Sequence, residues 1–293
     1  MHESFLAYRK MRWLRWAGLL AIVSIVAYIV HSPRVPANGA TWLGYTLGTI
    51  GALLILWLMM LGIRKRSYSS TMGTVKGWLS AHVYLGLALI IVATLHTGFQ
   101  FGWNLHTLAY TLMCIVIVSG FFGMVVYVRY QEMMSGNRAG QTSQEMLNSL
   151  AEFDNQLQRV SSDLPPAVAA AISSSISGTE LGGGAWSILK AKDHSVVALP
   201  TKSGKPAKAQ KNVDQTPIIN WLAAELAVTD PAHSAKLQDA LTLVGNKQSL
   251  LRRIREHSRI RALMQAWLFL HIPLSFGLLA ALASHIVVVF LYW

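Results

Sequence analysis

Four histidines in two long apolar stretches have the type and spacing to hold two metal-centred cofactors. His82 and His96 lie fourteen residues apart in one stretch, and His271 and His285 have the same separation in the other. Fourteen residues span about 21 Å of α-helix and return to within about 40° of the starting direction, so each pair lies on one stripe at two depths. An iron with two axial imidazoles takes one histidine from each of two facing helices. The spacing therefore predicts two stacked b-type haems, one near each face of a membrane.

Other roles for these histidines remain open. A histidine in a membrane helix can hydrogen-bond across the bundle without binding a cofactor. The repeated interval favours ligation over that explanation. Zinc and copper fit less well, because two imidazoles at each level fall short of the three or four ligands that these ions usually take. The single cysteine, Cys114, excludes an intrachain disulfide and a cysteine-ligated iron–sulfur cluster.

Glycines in a neighbouring apolar stretch add a second pattern. A flat macrocycle between helices needs positions without a side chain, and Gly48 and Gly62 repeat the fourteen-residue interval. Both are therefore candidate haem-facing positions. Close packing of small residues between membrane helices explains them equally well.

The composition predicts a membrane protein. Hydrophobic residues make up 53% of the chain and charged residues only 13%. Five charge-free runs occur, and nearly all reach the roughly 20 residues that span a bilayer: 16–30, 42–63, 78–101, 107–128 and 262–293. The first run has a basic flank like that of a secretory signal, and we interpret it as an uncleaved helix. We expect an all-α fold with five transmembrane helices, of which four form a haem-binding bundle and the N-terminal one is peripheral.

Basic residues predict the orientation of these helices. With the N-terminus inside, every one of the 25 Lys and Arg residues except Arg34 falls in an inner segment. We therefore expect a multi-pass protein of a bacterial inner membrane with a cytoplasmic N-terminus. The net charge of +12 then reflects topology, with anionic lipid headgroups as the nearest partners and no role in nucleic-acid binding.

The orientation also pairs the histidines. The third and fifth helices both run from inside to outside, so His82 should face His271 near the inner side and His96 should face His285 near the outer side. In the crossed pairing, His82 with His285 and His96 with His271, ligands about 20 Å apart would have to bind one iron.

Four segments follow from these patterns: 1–41, with the first helix and an outer loop; 42–130, with helices two to four; 131–261, a cytoplasmic insertion; and 262–293, the fifth helix. Within the insertion, an apolar stripe predicts an amphipathic helix at Ser143–Ser161, followed by a linker-like, flexible middle. A second helix, from His233, should continue into the fifth span and pack against the amphipathic helix at Ser143–Ser161 as a hairpin. The insertion is either an inert spacer or a docking platform for an acidic redox partner.

The two histidine runs resemble a known family. HVYLGLALIIVATLH (82–96) and HIPLSFGLLAALASH (271–285) look like the ligand helices of bis-histidyl di-haem membrane cytochromes b. Ligands on the third and fifth spans resemble the core of ferric reductases and NADPH oxidases. The matched spacing and the Gly48/Gly62 pair resemble cytochrome b of quinol:cytochrome c oxidoreductases. The resemblance covers about 42–130 and 262–293, and it implies haem binding more specifically than it implies a reaction.

A candidate quinone site follows His96. Gln100, Asn104 and His106 offer polar groups beside the apolar ring of Trp103 in a short loop, and a histidine can carry a proton near neutral pH. In the alternative interpretation Trp103 anchors at the membrane interface, Asn104 caps the fourth helix, and His106 contacts a haem propionate or water.

Three functions remain open from the sequence. The first is transmembrane electron transfer as the membrane subunit of a larger oxidoreductase, exchanging electrons with the quinone pool and with iron–sulfur, flavin or cytochrome c subunits. The second is an outer-face ferric or oxygen reductase core. Since no flavin or dinucleotide motif follows His285, its donor would be a separate protein. The third is a membrane scaffold that recruits partners through the insertion.

Overall fold

The structure is a computed structural model that describes residues 5–32, 37–67, 72–136, 142–200 and 208–291. In this part of the chain the secondary structure is almost entirely helical, with one two-stranded antiparallel sheet of β1 (Val196–Leu199) and β2 (Lys208–Lys211). The helices are α1 (Tyr8–Val30), α2 (Trp42–Arg66), α3 (Val75–Thr97), α4 (Leu105–Gly136), α5 (Ser143–Ser161), α6 (Pro166–Ser177), α7 (Ala185–Leu189), α8 (Thr216–Leu226) and α9 (Pro231–Leu291).

The predicted fold class is confirmed: the chain is an all-α, multi-pass membrane protein. Among the described residues, five helices are long and apolar enough to cross a bilayer, namely α1 to α4 and α9. Large apolar side chains on these helices point outward, as in Ile29, Val30 and Phe290, each about three-quarters exposed. Such side chains suit a lipid environment and would be costly in water.

The chain divides into two compact units. One comprises residues 1–125 and 267–293 and contains the apolar helices; the other comprises residues 126–266 and corresponds to the predicted insertion. The boundaries expected from the sequence, at 130 and 262, lie close to these divisions.

Two apolar clusters organise the membrane unit. One joins side chains of four helices, α2, α3, α4 and α9, through Ile55, Leu89, Met113 and Leu278. The other, among the described residues, brings Leu20 of α1 against side chains of α2 and α3. The helix α1 therefore packs outside the four helices that carry the candidate ligands and their neighbours, as the sequence predicts.

The insertion is more ordered than the sequence suggests. The helices α5 and α9 pack through Met146, Leu150 and Leu251, which forms the predicted hairpin. Where the sequence predicts a linker-like middle, the structure has α6, whose Val168 and Ile172 are almost fully buried in a core shared with α8. Proline at the start and a run of alanines favour this helix. Residues 201–207, which the sequence assigns to the same linker, lie outside the described residues.

Two ion pairs lie in or near the core of the insertion. Lys247, with 1% of its side chain exposed, meets Asp154 at 2.6 Å between Nζ and Oδ1. Arg255 meets Asp193 at 2.8 Å, with both side chains at least nine-tenths buried. Breaking either pair would leave a charge in a poorly solvated environment.

Candidate functional site

The two histidines of α3 make equivalent hydrogen bonds to α2. The Nδ1 of His82 lies 3.0 Å from the carbonyl oxygen of Leu58, and the Nδ1 of His96 lies 2.7 Å from that of Gly44. A carbonyl oxygen can only accept, so each Nδ1 is the donor. The two acceptors are fourteen residues apart, like the two histidines. The earlier histidine, His82, bonds to the later acceptor, Leu58. Antiparallel α2 and α3 therefore repeat one contact at both levels.

The two histidines of α9 bond to side chains of α4 instead. The Nδ1 of His271 lies 2.7 Å from the Oγ of Ser119, and that hydroxyl donates its hydrogen to the carbonyl oxygen of Val116 at 2.8 Å. The His271 Nδ1 is consequently the donor in its bond to Ser119. The Nδ1 of His285 lies 2.6 Å from the Nδ1 of His106.

All four candidate ligands thus engage Nδ1 in a hydrogen bond. A donating Nδ1–H leaves the lone pair of a neutral imidazole on Nε2, the atom that then binds a metal. Metal-ligating histidines almost always show this arrangement, because the bond at the second nitrogen fixes the tautomer and the ring orientation. The bond between His285 and His106 permits either ring to donate, and ligation by His285 requires that His285 does.

The structure brings His96 and His285 together with a spacing that suits one iron. Their ring centroids are 6.1 Å apart, and the ring planes are inclined by 82°. With metal–nitrogen bonds of about 2.0 Å, two imidazoles on opposite sides of an iron have ring centres about 6 Å apart. His96 and His285 are the residues that the sequence pairs near the outer side, and ligation by either pair stays a prediction.

The two glycines that the sequence treats as equivalent differ in the structure. A Cβ added at Gly48 would lie 2.7 Å from Cε1 of His96, whereas one added at Gly62 would meet nothing within 4 Å. Gly48 therefore makes room for the imidazole ring of His96. Gly62 borders open space.

The residues of the candidate quinone site make separate contacts. The Oδ1 of Asn104 accepts a hydrogen bond from the backbone N–H of Thr107 at 2.9 Å, as a helix cap does. The Nε2 of Gln100 donates to the carbonyl oxygen of Ala37 at 3.3 Å. Trp103 is fully exposed. Of these residues, His106 alone contacts the pair His96–His285, through His285. The cap formed by Asn104 is the role that the alternative interpretation gives it.

Sequence reasoning missed several contacts. Ser119 is the partner of His271, and a Cβ at Gly120 would lie 3.5 Å from Cε1 of the same histidine. The loop before α2 also covers the other pair, since a Cβ at Gly39 would lie 3.2 Å from Cε1 of His96. A serine within an otherwise apolar span was the available signal for the first contact. No local sequence pattern predicts the contact between Gly39 and His96.

The donor set fits haem better than a bare ion. Among the residues that the structure describes, no group of three or more His, Cys, Asp or Glu side chains is placed to hold a metal ion. A haem brings its own four nitrogens, so two imidazoles complete its coordination.

Comparison with known proteins adds no assignment: no family model, curated protein or solved structure matches this chain.

Proposed function

We propose that this chain carries single electrons across a membrane through two b-type haems held by the pairs His82–His271 and His96–His285. It would do so as the membrane subunit of a larger oxidoreductase that exchanges electrons with the quinone pool. The observation that carries the proposal is the repeated one: four histidines at matched intervals in two helices, each with Nδ1 engaged.

The residues of the chain have three tasks in this proposal. Bound haem supplies the one-electron chemistry. The histidines supply both axial ligands at each level, and the fourteen-residue interval sets the levels about 21 Å apart along the helices. The apolar core around Leu89, Met113 and Leu278 keeps water away from the space between the levels. The carbonyls of Gly44 and Leu58 hold two of the rings in place.

The proposed orientation places the N-terminus and the insertion in the cytoplasm of a bacterium, with the membrane unit in the inner membrane. It is supported by the basic residues that end α2, Arg64, Lys65 and Arg66, and by those of the insertion. Anionic lipid headgroups would contact these side chains. In this orientation the His96–His285 pair lies toward the outer face.

Further partners belong to the same proposal. A quinol would reach the haems through the lipid phase, and iron–sulfur, flavin or cytochrome c subunits would complete the electron path. The insertion offers a surface for a soluble subunit, since Arg253 on α9 is exposed and basic.

A second candidate function is favoured by one observation. His106, which is hydrogen-bonded to His285, is exposed rather than enclosed. An exposed end suits a core that reduces ferric ion or oxygen at the outer face with electrons from a separate cytoplasmic donor.

Haem content and electron donor test the proposal. The purified full chain should contain two protohaems, both low-spin because imidazoles fill both axial positions. A quinol analogue should reduce them. The variant His233→Ala, which alters a histidine of the insertion, is the control and should retain both haems. A wild-type chain with one haem or none would overturn the proposal. Reduction by a cytoplasmic-type donor but not by quinol would favour the second candidate.

A further inference from the structure

We propose that His106 is a positioning residue for the outer ligand: it accepts a hydrogen bond from Nδ1–H of His285 and so directs the Nε2 of that ring toward His96. This inference rests on the proposed function. It assigns His106 a task different from quinone binding, for which the sequence made it a candidate.

The geometry at this end of the bundle is specific. The two Nδ1 atoms are 2.6 Å apart, and the ring centroids of His106 and His285 are separated by 4.5 Å at an angle of 89°. The ring of His285 therefore has two imidazole neighbours, His106 at its Nδ1 and His96 with its ring centroid 6.1 Å away. A ring bonded at Nδ1 has little freedom to rotate, and this fixes the direction of Nε2.

The first turn of α4 fixes His106 in turn. The helix begins at Leu105, and Asn104 caps it by accepting a hydrogen bond from the N–H of Thr107. His106 therefore stands in the first turn of a capped helix rather than on a free loop. This gives the capping residue Asn104 an indirect part in holding His285.

A comparison of the four ligands shows why His106 is a distinct element. The two α3 ligands donate to backbone carbonyls, which no substitution removes. The two α9 ligands donate to the side chains of Ser119 and His106. Each level of the site thus has one partner that mutation can delete, and Ser119 serves as the matched control for His106.

The hydrogen bond has an electronic consequence. Donation from Nδ1–H to an acceptor makes the ligating imidazole more basic, and a more basic axial ligand stabilises the oxidised iron. Loss of the acceptor should therefore raise the midpoint potential of the haem that His285 binds. The other haem, about 21 Å away along the helix, should keep its potential.

The test uses the purified full chain with His106→Leu, His106→Gln and Ser119→Ala. The readouts are the content, the midpoint potential and the low-spin electron paramagnetic resonance signal of each haem. In His106→Leu we expect binding of the His96–His285 haem to weaken about 10- to 100-fold. Any haem retained at that level should have an upward-shifted potential and an altered signal. His106→Gln, whose amide oxygen can accept the same bond, should stay close to wild type. Ser119→Ala should affect only the other level.

The outcomes separate this inference from the proposed function. Two haems in the wild type, with no change in His106→Leu, would overturn the inference alone. An effect of His106→Gln on the haem as large as that of His106→Leu would also overturn it. If the leucine variant accumulates poorly, the potential and the signal of its remaining haem are compared with those of the glutamine variant. A wild type without two haems would overturn the proposed function itself.

Discussion

His96 lies directly against Gly48 of the neighbouring helix, so that a methyl group added at residue 48 would be 2.7 Å from Cε1 and 2.8 Å from Nδ1 of the imidazole. Side chains on an α-helix lean toward its N-terminus, so a side chain at residue 48 would overlie the carbonyl of residue 44. That carbonyl is the acceptor for His96 Nδ1. Glycine at position 48 keeps the acceptor accessible to the ring.

The first prediction follows from this contact. Gly48→Ala should displace the His96 ring, weaken its bond to Gly44 and reduce the haem at the His96–His285 level while the other haem stays bound. Gly62→Ala is the matched control, since its Cβ would meet nothing within 4 Å. Haem content per chain and the optical spectrum of the reduced protein measure both variants. Equal losses in the two variants would contradict the distinction between the glycines.

The second prediction concerns the ligands themselves. His96→Ala and His285→Ala should each lose the same haem, and His82→Ala and His271→Ala should each lose the other. Each variant should therefore keep about half of the wild-type haem, because the remaining level has both of its ligands. Redox titration of the four variants identifies which haem is left. Loss of different haems in His96→Ala and His285→Ala would show that the pairing is wrong.

The sequence predicts which histidines share a helix face better than it predicts what surrounds them. The interval between His82 and His96 indicates a shared helix face because helical periodicity is a local property. The contacts of Ser119 and His106 depend on the rotation and offset of α4 relative to α9, so a serine in an apolar span marks a candidate position without identifying its partner. Composition alone also misleads in α6, whose small residues resemble a linker until burial of Ile172 is seen. Tertiary packing decides that segment.

The third prediction tests topology. A single cysteine at residue 182, in the variant Gly182→Cys with Cys114→Ser, should react with an impermeant thiol reagent only after the cells are opened. Residue 182 is exposed and a Cβ there meets nothing within 4 Å, so the substitution has room. The counterpart Gly102→Cys, in the exposed loop before α4, should react in intact cells. The reverse pattern would exchange the inner and outer assignments of the two haems. Trp293, expected at the outer face, lies outside the described residues.

The fourth prediction concerns the buried ion pair of the insertion. Asp154→Ala leaves the ammonium of Lys247 buried without a counter-charge, and we expect it to lower the free energy of unfolding by about 3–5 kcal/mol. The control is Asp163→Ala, which breaks the exposed pair between Lys236 and Asp163 and should change stability little. Denaturant-dependent proteolysis of the full chain in detergent measures both. Similar midpoints in the two variants would show that burial does not set the value of the pair.

The fifth prediction is that the stability of the insertion depends on pH through the carboxyl group of Asp193. Burial raises the pKa of this carboxyl, but hydrogen bonds from Ser195 and from the backbone N–H of Asp214, together with the charge of Arg255, outweigh burial and hold the pKa below its usual 3.8. A carboxyl whose pKa is lower in the folded state stabilises the fold above its unfolded pKa, and the contribution is lost as the pH falls through the folded value. Protease resistance of the insertion in the full chain should therefore decline as the pH falls below about 3.8.

Asp193→Asn should be less resistant to protease at neutral pH and should lose part of this decline, because the amide has no proton to gain. Asp239→Asn, on an exposed part of α9, should follow the wild-type curve. If Asp193→Asn keeps both the neutral-pH resistance and the full acid decline of the wild type, the pair with Arg255 is not the source of the pH dependence.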